Sequence, residues 1–291
     1  MAIFGRSMRS AVMALAALAP VLLLLAQGGG STPAKAVEPG MELASHRAIY
    51  ELKLARSHGN SSTISARGRI LYDFSGNLCE GYALQFRQVS ELDNGEGKVT
   101  LSDLRSTSWE EGEAKRFIFK SQNYLNDTLI DSVDGEAERG ADHVVVSLSK
   151  PVEKKFNLEP RIAFPTDHMR RIIVAARQEK TILEAPLYDG SEKGTKVFNT
   201  LTVIGRPIGP NERVPADAAA GKETLASLKR WPVTVSYFDR GAAPGDQPPV
   251  YAITFELYEN GISRALTLDY NDFAISGDLT SLDIRESKPC R

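Results

Sequence analysis

Tyr251-Ala252-Ile253-Thr254-Phe255-Glu256-Leu257-Tyr258-Glu259-Asn260-Gly261-Ile262-Ser263-Arg264-Ala265-Leu266-Thr267-Leu268-Asp269-Tyr270 reads as two strands and a turn. Tyr251, Ile253, Phe255 and Leu257 alternate with neighbours of the other parity, the period of a half-buried strand. Ile262, Arg264, Leu266, Leu268 and Tyr270 resume the alternation beyond Asn260-Gly261. Asn-Gly between alternating runs predicts a hairpin with a type I′ turn, because that turn needs positive φ at both central residues.

The same period recurs upstream. Tyr50, Leu52 and Leu54 share one face. Ile64, Ala66, Gly68, Ile70, Tyr72 and Phe74 share another, and Tyr82, Leu84 and Phe86 repeat the pattern. Phe117 and Phe119, then Val144, Val146 and Leu148, extend it. Such runs predict about 12–14 short antiparallel strands, an all-β pattern. Two segments break the period. Met169, Ile172, Ile173 and Ala176 fall at helical spacing, with Thr166 as the expected cap, Asp167 at the positive end of the dipole and Arg177 at the other. A second helix is expected from about 218 to 230, using Leu225 and Leu228 and stopped by Pro232. The Pro- and Gly-rich stretch Gly205 to Pro215 allows a domain boundary near residue 210, against which stands the wide separation of the two cysteines.

Residues 1–36 read as an export signal. Arg6 and Arg9 give a positive start, Ala11 to Ala26 an apolar run broken by Pro20, and Ala34-Lys35-Ala36 small side chains at a cleavage site. The run falls short of the roughly 20 apolar residues that span a bilayer. The expected organisation is therefore a signal peptide over 1–36 and one domain over 37–291, in the periplasm, with no transmembrane segment after cleavage. The whole chain carries a formal charge of −2. Without the leader, 32 basic residues face 37 acidic ones, a charge of −5. A mildly acidic body with no basic block argues against nucleic acid as the main partner. Apolar content of 42% and charged content of 25% exclude wholesale disorder.

Export changes the meaning of Cys79 and Cys290, the only two cysteines. Their separation is neither a CxxC redox pair nor a metal-site spacing, and an oxidising compartment favours disulfides. An intramolecular bridge is expected, with free thiols or an intermolecular pair as the alternatives. Other chemistry is thin. His46, His58, His143 and His168 lack metal-motif spacing and read as surface or cap residues. His58 to Ser62 lacks the nucleophile elbow and reads as a turn. Asp127, Asp131, Asp134 and Glu136 do not fit a calcium loop and read as a solvated strand and turn. Tyr188-Asp189-Gly190-Ser191 has the composition of a ligand-reading loop, though Asp-Gly is also ordinary turn chemistry. Trp109 and Trp231 could stack a ligand or serve packing. No catalytic, cofactor-binding or metal-binding residue is assigned, and no cofactor is expected.

The export signal, the strand-rich body, the Thr166–Arg177 helix, the run Leu187 to Ser191 leading to Val203-Ile204-Gly205, and one early and one penultimate cysteine occur in a particular order. In that combination the sequence resembles the EipB-like cell envelope integrity proteins, a periplasmic family of alphaproteobacteria. The resemblance implies a single antiparallel β-spiral, a curled and barrel-like open sheet with one or two helices, closed by a disulfide matching Cys79 and Cys290. It also implies a role in keeping the envelope intact under stress, and a shape similar to periplasmic lipoprotein carriers. No catalytic residues carry over from the family.

The expected function is thus a non-enzymatic, monomeric periplasmic factor that binds a protein segment or an acyl chain. A carrier of lipid or lipoprotein is the nearest alternative, and an envelope hydrolase a more distant one. Tyr72, Phe74, Tyr82 and Phe86 either line a concave binding face or pack against the Met169–Ala176 helix, packing being the favoured reading.

Overall fold

Strand follows strand in a meander because short polar or glycine-bearing turns separate the alternating runs. The computed structural model describes residues 41–57, 63–95, 97, 99–210, 212, 217, 219, 223–240 and 248–287. Eight strands come first: β1 His46–Ser57, β2 Ser65–Asn77, β3 Gly81–Asp93, β4 Val99–Glu110, β5 Arg116–Leu125, β6 Thr128–Arg139, β7 Val144–Lys150 and β8 Lys154–Leu158. Helix α1 spans Pro165–Arg177. Six strands follow: β9 Ile182–Leu187, β10 Phe198–Ile204, β11 Arg230–Asp239, β12 Tyr251–Tyr258, β13 Ser263–Asp269 and β14 Phe273–Ile284. A 3-10 turn at Glu192–Gly194 and a one-turn helix α2, Glu223–Ala226, lie in the connections.

All fourteen strands belong to one sheet, in the order β8-β7-β6-β5-β4-β3-β2-β1-β14-β13-β12-β11-β10-β9. Every pairing within it is antiparallel. The first strand pairs with the last in the middle of the sheet, and β8 and β9 are its two edges. The fold is the open antiparallel sheet that the alternation and the family resemblance predict. The stretch near residue 210 does not interrupt it, since β10 and β11 on either side pair with each other from Phe198↔Asp239 to Ile204↔Val233.

The sheet is strongly curled. Strands β4 and β11 lie seven steps apart, roughly 34 Å at about 4.8 Å per strand if the sheet were flat, yet both line one cavity. Phe119 of β5 meets Tyr188, just past β9, at 5.6 Å between ring centroids. The edges do not zip into a closed barrel. Instead, the segment after β9 lies against the concave side of β5–β7, with Tyr188 and Val197 sharing a buried cluster with Phe117, Phe119, Val133 and Val146. This overlap makes the sheet a spiral. A single parallel bridge, Ala163↔Leu187, ties the start of β9's exit to the segment before α1.

Helix α1 links the two edges through the interior. Ile172, Ile173, Ala175 and Ala176 pack with Phe74 and Tyr82 on one side and with Trp231, Val233, Val235 and Phe255 on the other. The helical spacing predicts this face. The predicted cap does not occur: the cap position lies two residues earlier, at Phe164, which makes no side-chain cap bond, and the helix starts at Pro165. The capping group comes from β4. Glu110 accepts the N–H of Thr166 at 2.7 Å and of Asp167 at 2.7 Å, so a distant carboxylate satisfies donors that a local Ser, Thr or Asp usually takes.

Of the second predicted helix, the described residues form only α2, while 218 and 220–222 lie outside them. Arg230 opens β11 and Pro232 sits inside that strand opposite Glu256, rather than ending a helix. Leu225 is nevertheless buried, with Tyr50, Ile70 and Tyr258. The β12–β13 hairpin forms as predicted, with a different turn. Gly261 has φ +90° and Asn260 is not at positive φ, so the loop is not type I′. Asn260 is held through its own backbone, its carbonyl accepting the Ala44 N–H at 2.9 Å. The two-residue turn with both central residues at positive φ is Asn126-Asp127, between β5 and β6. Asp127 thus belongs to a hairpin turn, and Asp131, Asp134 and Glu136 lie on β6.

Between β2 and β3, Asn77 Oδ1 accepts the N–H groups of Cys79 and Glu80, each at 2.8 Å. Gly81 closes this turn at φ +81°, where a Cβ would meet the Trp109 ring at 2.8 Å. Trp109 is therefore a packing residue over the turn, and its indole N–H donates to the Glu80 carbonyl at 3.1 Å. Trp231 is buried in the core under α1. The expected partner of Cys79, Cys290, lies outside the described residues, as do His58 to Ser62 and residues 1–36. The bridge can be tested by intact mass after alkylation. Both thiols should be blocked only after reduction; labelling of both without reductant would overturn the pairing.

Candidate functional site

The curl encloses a cavity of about 530 Å³. Its walls come from β1–β4 on one side and β11–β13 on the other, with α1 and the loop after β9 closing the remainder. The parity of each strand decides which side chains enter. On β2, Ile70, Tyr72 and Phe74 line the space; on β3, Leu84, Phe86 and Gln88 do; on β12 and β13, Ile253, Phe255, Leu266 and Leu268. Helix α1 contributes Met169 and Ile172. The two readings of the aromatic stripe therefore divide. Tyr72, Phe74 and Phe86 line the cavity, while Tyr82 and Phe74 pack in the core beside Ile172 and Ile173. Helix α1 fills part of the concave side and leaves the rest open.

Two histidines expected on the surface are buried and line this space. His46 has the parity of Ala48, Tyr50 and Leu52, all buried, and that spacing places it inside. Its Nδ1–H donates to the Ala44 carbonyl at 2.7 Å and its ring stacks on Tyr72 at 5.4 Å. Burial lowers its pKa. His168 lies on α1 at 3.2 Å from the Thr200 hydroxyl. Thr200 donates its one proton to the Ala185 carbonyl at 2.8 Å, which makes His168 Nε2 the donor. Burial pushes His168 down to about 4, so it is neutral near pH 7. His143 lies beside β7, away from the cavity lining.

At the start of α1, the carboxyl of Glu110 is pushed up to about 7 by burial, against the favourable bonds from the helix N–H groups. Nothing local in the sequence marks Glu110. Its partners lie 56 and 57 residues further along the chain.

The loop Tyr188 to Ser191 is a turn, as Asp-Gly predicts, and two of its residues line the cavity. Asp189 Oδ1 accepts the Ser191 N–H at 2.9 Å, an Asx turn, and Tyr188 anchors the loop by donating to the Gly194 carbonyl at 2.7 Å. Gly190 has φ +74° and lies so close to Phe119 that a Cβ would be 2.4 Å from the ring. The turn thereby presents Asp189 and Ser191 to the cavity. Tyr237 and Tyr251 stand there too, their rings stacked at 4.2 Å and an angle of 17°. Burial raises the pKa of Asp189 and of both phenols. The parity of Val233, Val235 and Tyr237 on β11 carries the inward placement of Tyr237.

The arrangement suits binding. The lining is apolar over most of its area, with a few polar side chains, Asp189 and Ser191 among them. Among the described residues no group of three or more His, Cys, Asp or Glu side chains is placed to hold a metal ion. Among the same residues, no helix is long and apolar enough to cross a membrane.

Comparison with known proteins gives a consistent result. A family model described as EipB-like matches residues 37–286. The cell envelope integrity protein EipB of Brucella abortus (strain 2308) is 35% identical over 276 residues, 95% of this chain and 95% of that protein. The crystal structure of a beta-barrel-like protein of a domain of unknown function, DUF1849, from Brucella abortus superposes with a TM-score of 0.77 at 35% identity. That match covers 85% of this chain and 100% of the solved one.

Proposed function

From the premise that this chain belongs to the EipB-like family, we propose that it is a non-enzymatic periplasmic factor that maintains cell envelope integrity by holding an apolar ligand, an acyl chain, inside the spiral. The integrity role rests on the relative's name and the close relationship. The binding role rests on one observation, the apolar cavity of about 530 Å³ that α1 leaves open. Its size falls within the roughly 300–1,000 Å³ of small-molecule sites, and its mix of many apolar and few polar groups is theirs as well. A structure whose concave side was filled by its own helix would instead favour a scaffold.

Binding can be read with the fluorescent probe N-phenyl-1-naphthylamine. One molecule should bind per chain, and dodecanol should displace it. Leu84→Trp and Ile253→Trp each project an indole into the cavity, and both should abolish the signal while circular dichroism stays strand-rich. A cell lacking the native protein should regain detergent resistance from the wild type and not from either variant. Unaltered probe binding in both variants would overturn the reading, as would turnover of an envelope polymer lost on mutating a single carboxylate.

A further inference from the structure

The charge inventory of the cavity is one-sided. Among the described residues no Lys or Arg lines it, and its histidines His46 and His168 are buried with lowered pKa values. The carboxylates that line it are Asp189 and Asp269. Asp269 is already paired, to Arg56 across from β1. Among the described residues no ion pair reaches Asp189, whose carboxylate accepts hydrogen bonds from the Ser191 backbone and hydroxyl and from its own N–H. The stacked rings of Tyr237 and Tyr251 lie close enough for the Asp189 charge to act on both phenols.

We infer that the ligand's polar end is a protonated amine, seated between the Asp189 carboxylate and the Tyr237–Tyr251 pair, with its aliphatic chain along the apolar remainder of the cavity. The inference rests on the ligand-binding reading above and specifies its head group. Three physical terms favour an ammonium there. It would meet a carboxylate that has hydrogen-bond donors but no counter-ion among the described residues, in a site of low dielectric. Aromatic faces attract cations by about 0.5–2 kcal/mol. Its N–H donors match the acceptors supplied by the carboxylate and the phenol oxygens. An anionic head meets the opposite conditions: a carboxylate neighbour, no cation in the lining, and loss of its hydration. A phosphate or fatty-acid carboxylate at this position would be a buried charge without a partner.

A series with one chain and three heads separates these terms. Dodecylamine, dodecanol and dodecanoate are compared at pH 7, below their critical micelle concentrations, by displacement of N-phenyl-1-naphthylamine from the full-length protein. The amine should bind at least about 10-fold more tightly than the carboxylate, with the alcohol between them. Asp189→Asn keeps the Oδ1 that holds the Ser191 turn and removes the charge. In that variant the amine should fall to the affinity of the alcohol, while the alcohol itself is unchanged. Equal or tighter binding of dodecanoate in the wild type would overturn the head-group assignment, as would an amine preference that survives Asp189→Asn. Failure of all three compounds to bind would instead remove the cavity-binding reading. The wild-type series decides the head group even where the variant does not fold.

Discussion

Replacing Arg264 by Ala should cost about 3–5 kcal/mol of unfolding free energy in a urea titration, the cost of stranding a buried charge. Arg264 on β13 is almost fully buried. Its guanidinium holds Asp217 at 2.5 Å and Glu256 at 2.9 Å. Arg230 holds the same Glu256 carboxylate at 2.7 Å, so Glu256 keeps a partner when Arg264 is removed. Asp217 loses the Nε–H donor that Arg264 supplies and stays buried, where water does not replace it. The remedy follows from the same reasoning. Combining Arg264→Met with Asp217→Asn removes both charges at once and should recover most of the loss, because two neutral groups avoid the desolvation term. A loss below about 1 kcal/mol for Arg264→Ala would place the pair in the class of surface ion pairs.

The second large effect is a cancellation that appears only when one side is removed. Glu110 is raised to about 7 from 4.5, so the folded protein keeps its proton while the unfolded chain has released it. That group makes stability fall as pH rises between 4.5 and 7. His168 is lowered to about 4 from 6.5, so the unfolded chain takes up a proton that the folded protein refuses. That group makes stability rise with pH between 4 and 6.5. Each swing is worth about 3 kcal/mol at 1.36 kcal/mol per pKa unit. Between pH 4.5 and 6.5 the two slopes oppose and leave the wild type nearly flat. Glu110→Gln should expose the histidine, with stability climbing across that window. His168→Gln should expose the carboxyl, with stability declining. Parallel profiles for both variants would show that neither group carries the stated shift.

Strand identity was legible because it is a local property. Parity along β1, β2 and β3 marks the buried face, and the family resemblance brought the curl and its openness. His46 reads as a surface residue because its neighbours are polar, although it shares the parity of the buried Ala48 and Tyr50, and Tyr237 does not stand out because Pro232 reads as the stop of a helix. What the sequence left hidden depends on contacts between distant segments. Glu110 caps a helix that begins more than fifty residues later. Asn260 adopts its backbone conformation beside Ala44, which local turn chemistry does not register. Asn126-Asp127 takes the type I′ geometry without the glycine that usually signals it. The cavity itself arises because α1 covers only part of the concave side, a matter of packing volume that periodicity does not encode.

The pairing of β1 with β14 has a kinetic meaning. Residues such as His46 and Ile284 become neighbours only after nearly the whole domain has been made. Until β14 is available, the edge of β1 opposite β2 lacks the strand that it pairs with in the finished sheet. Such long-range closure is slow, because loop entropy must be overcome before the contacts form. The unpaired β1 edge is a template for strands of other chains throughout that interval. The last strand to emerge is therefore the one that ends this exposure, and the chain's vulnerability to aggregation is set by how quickly β14 arrives.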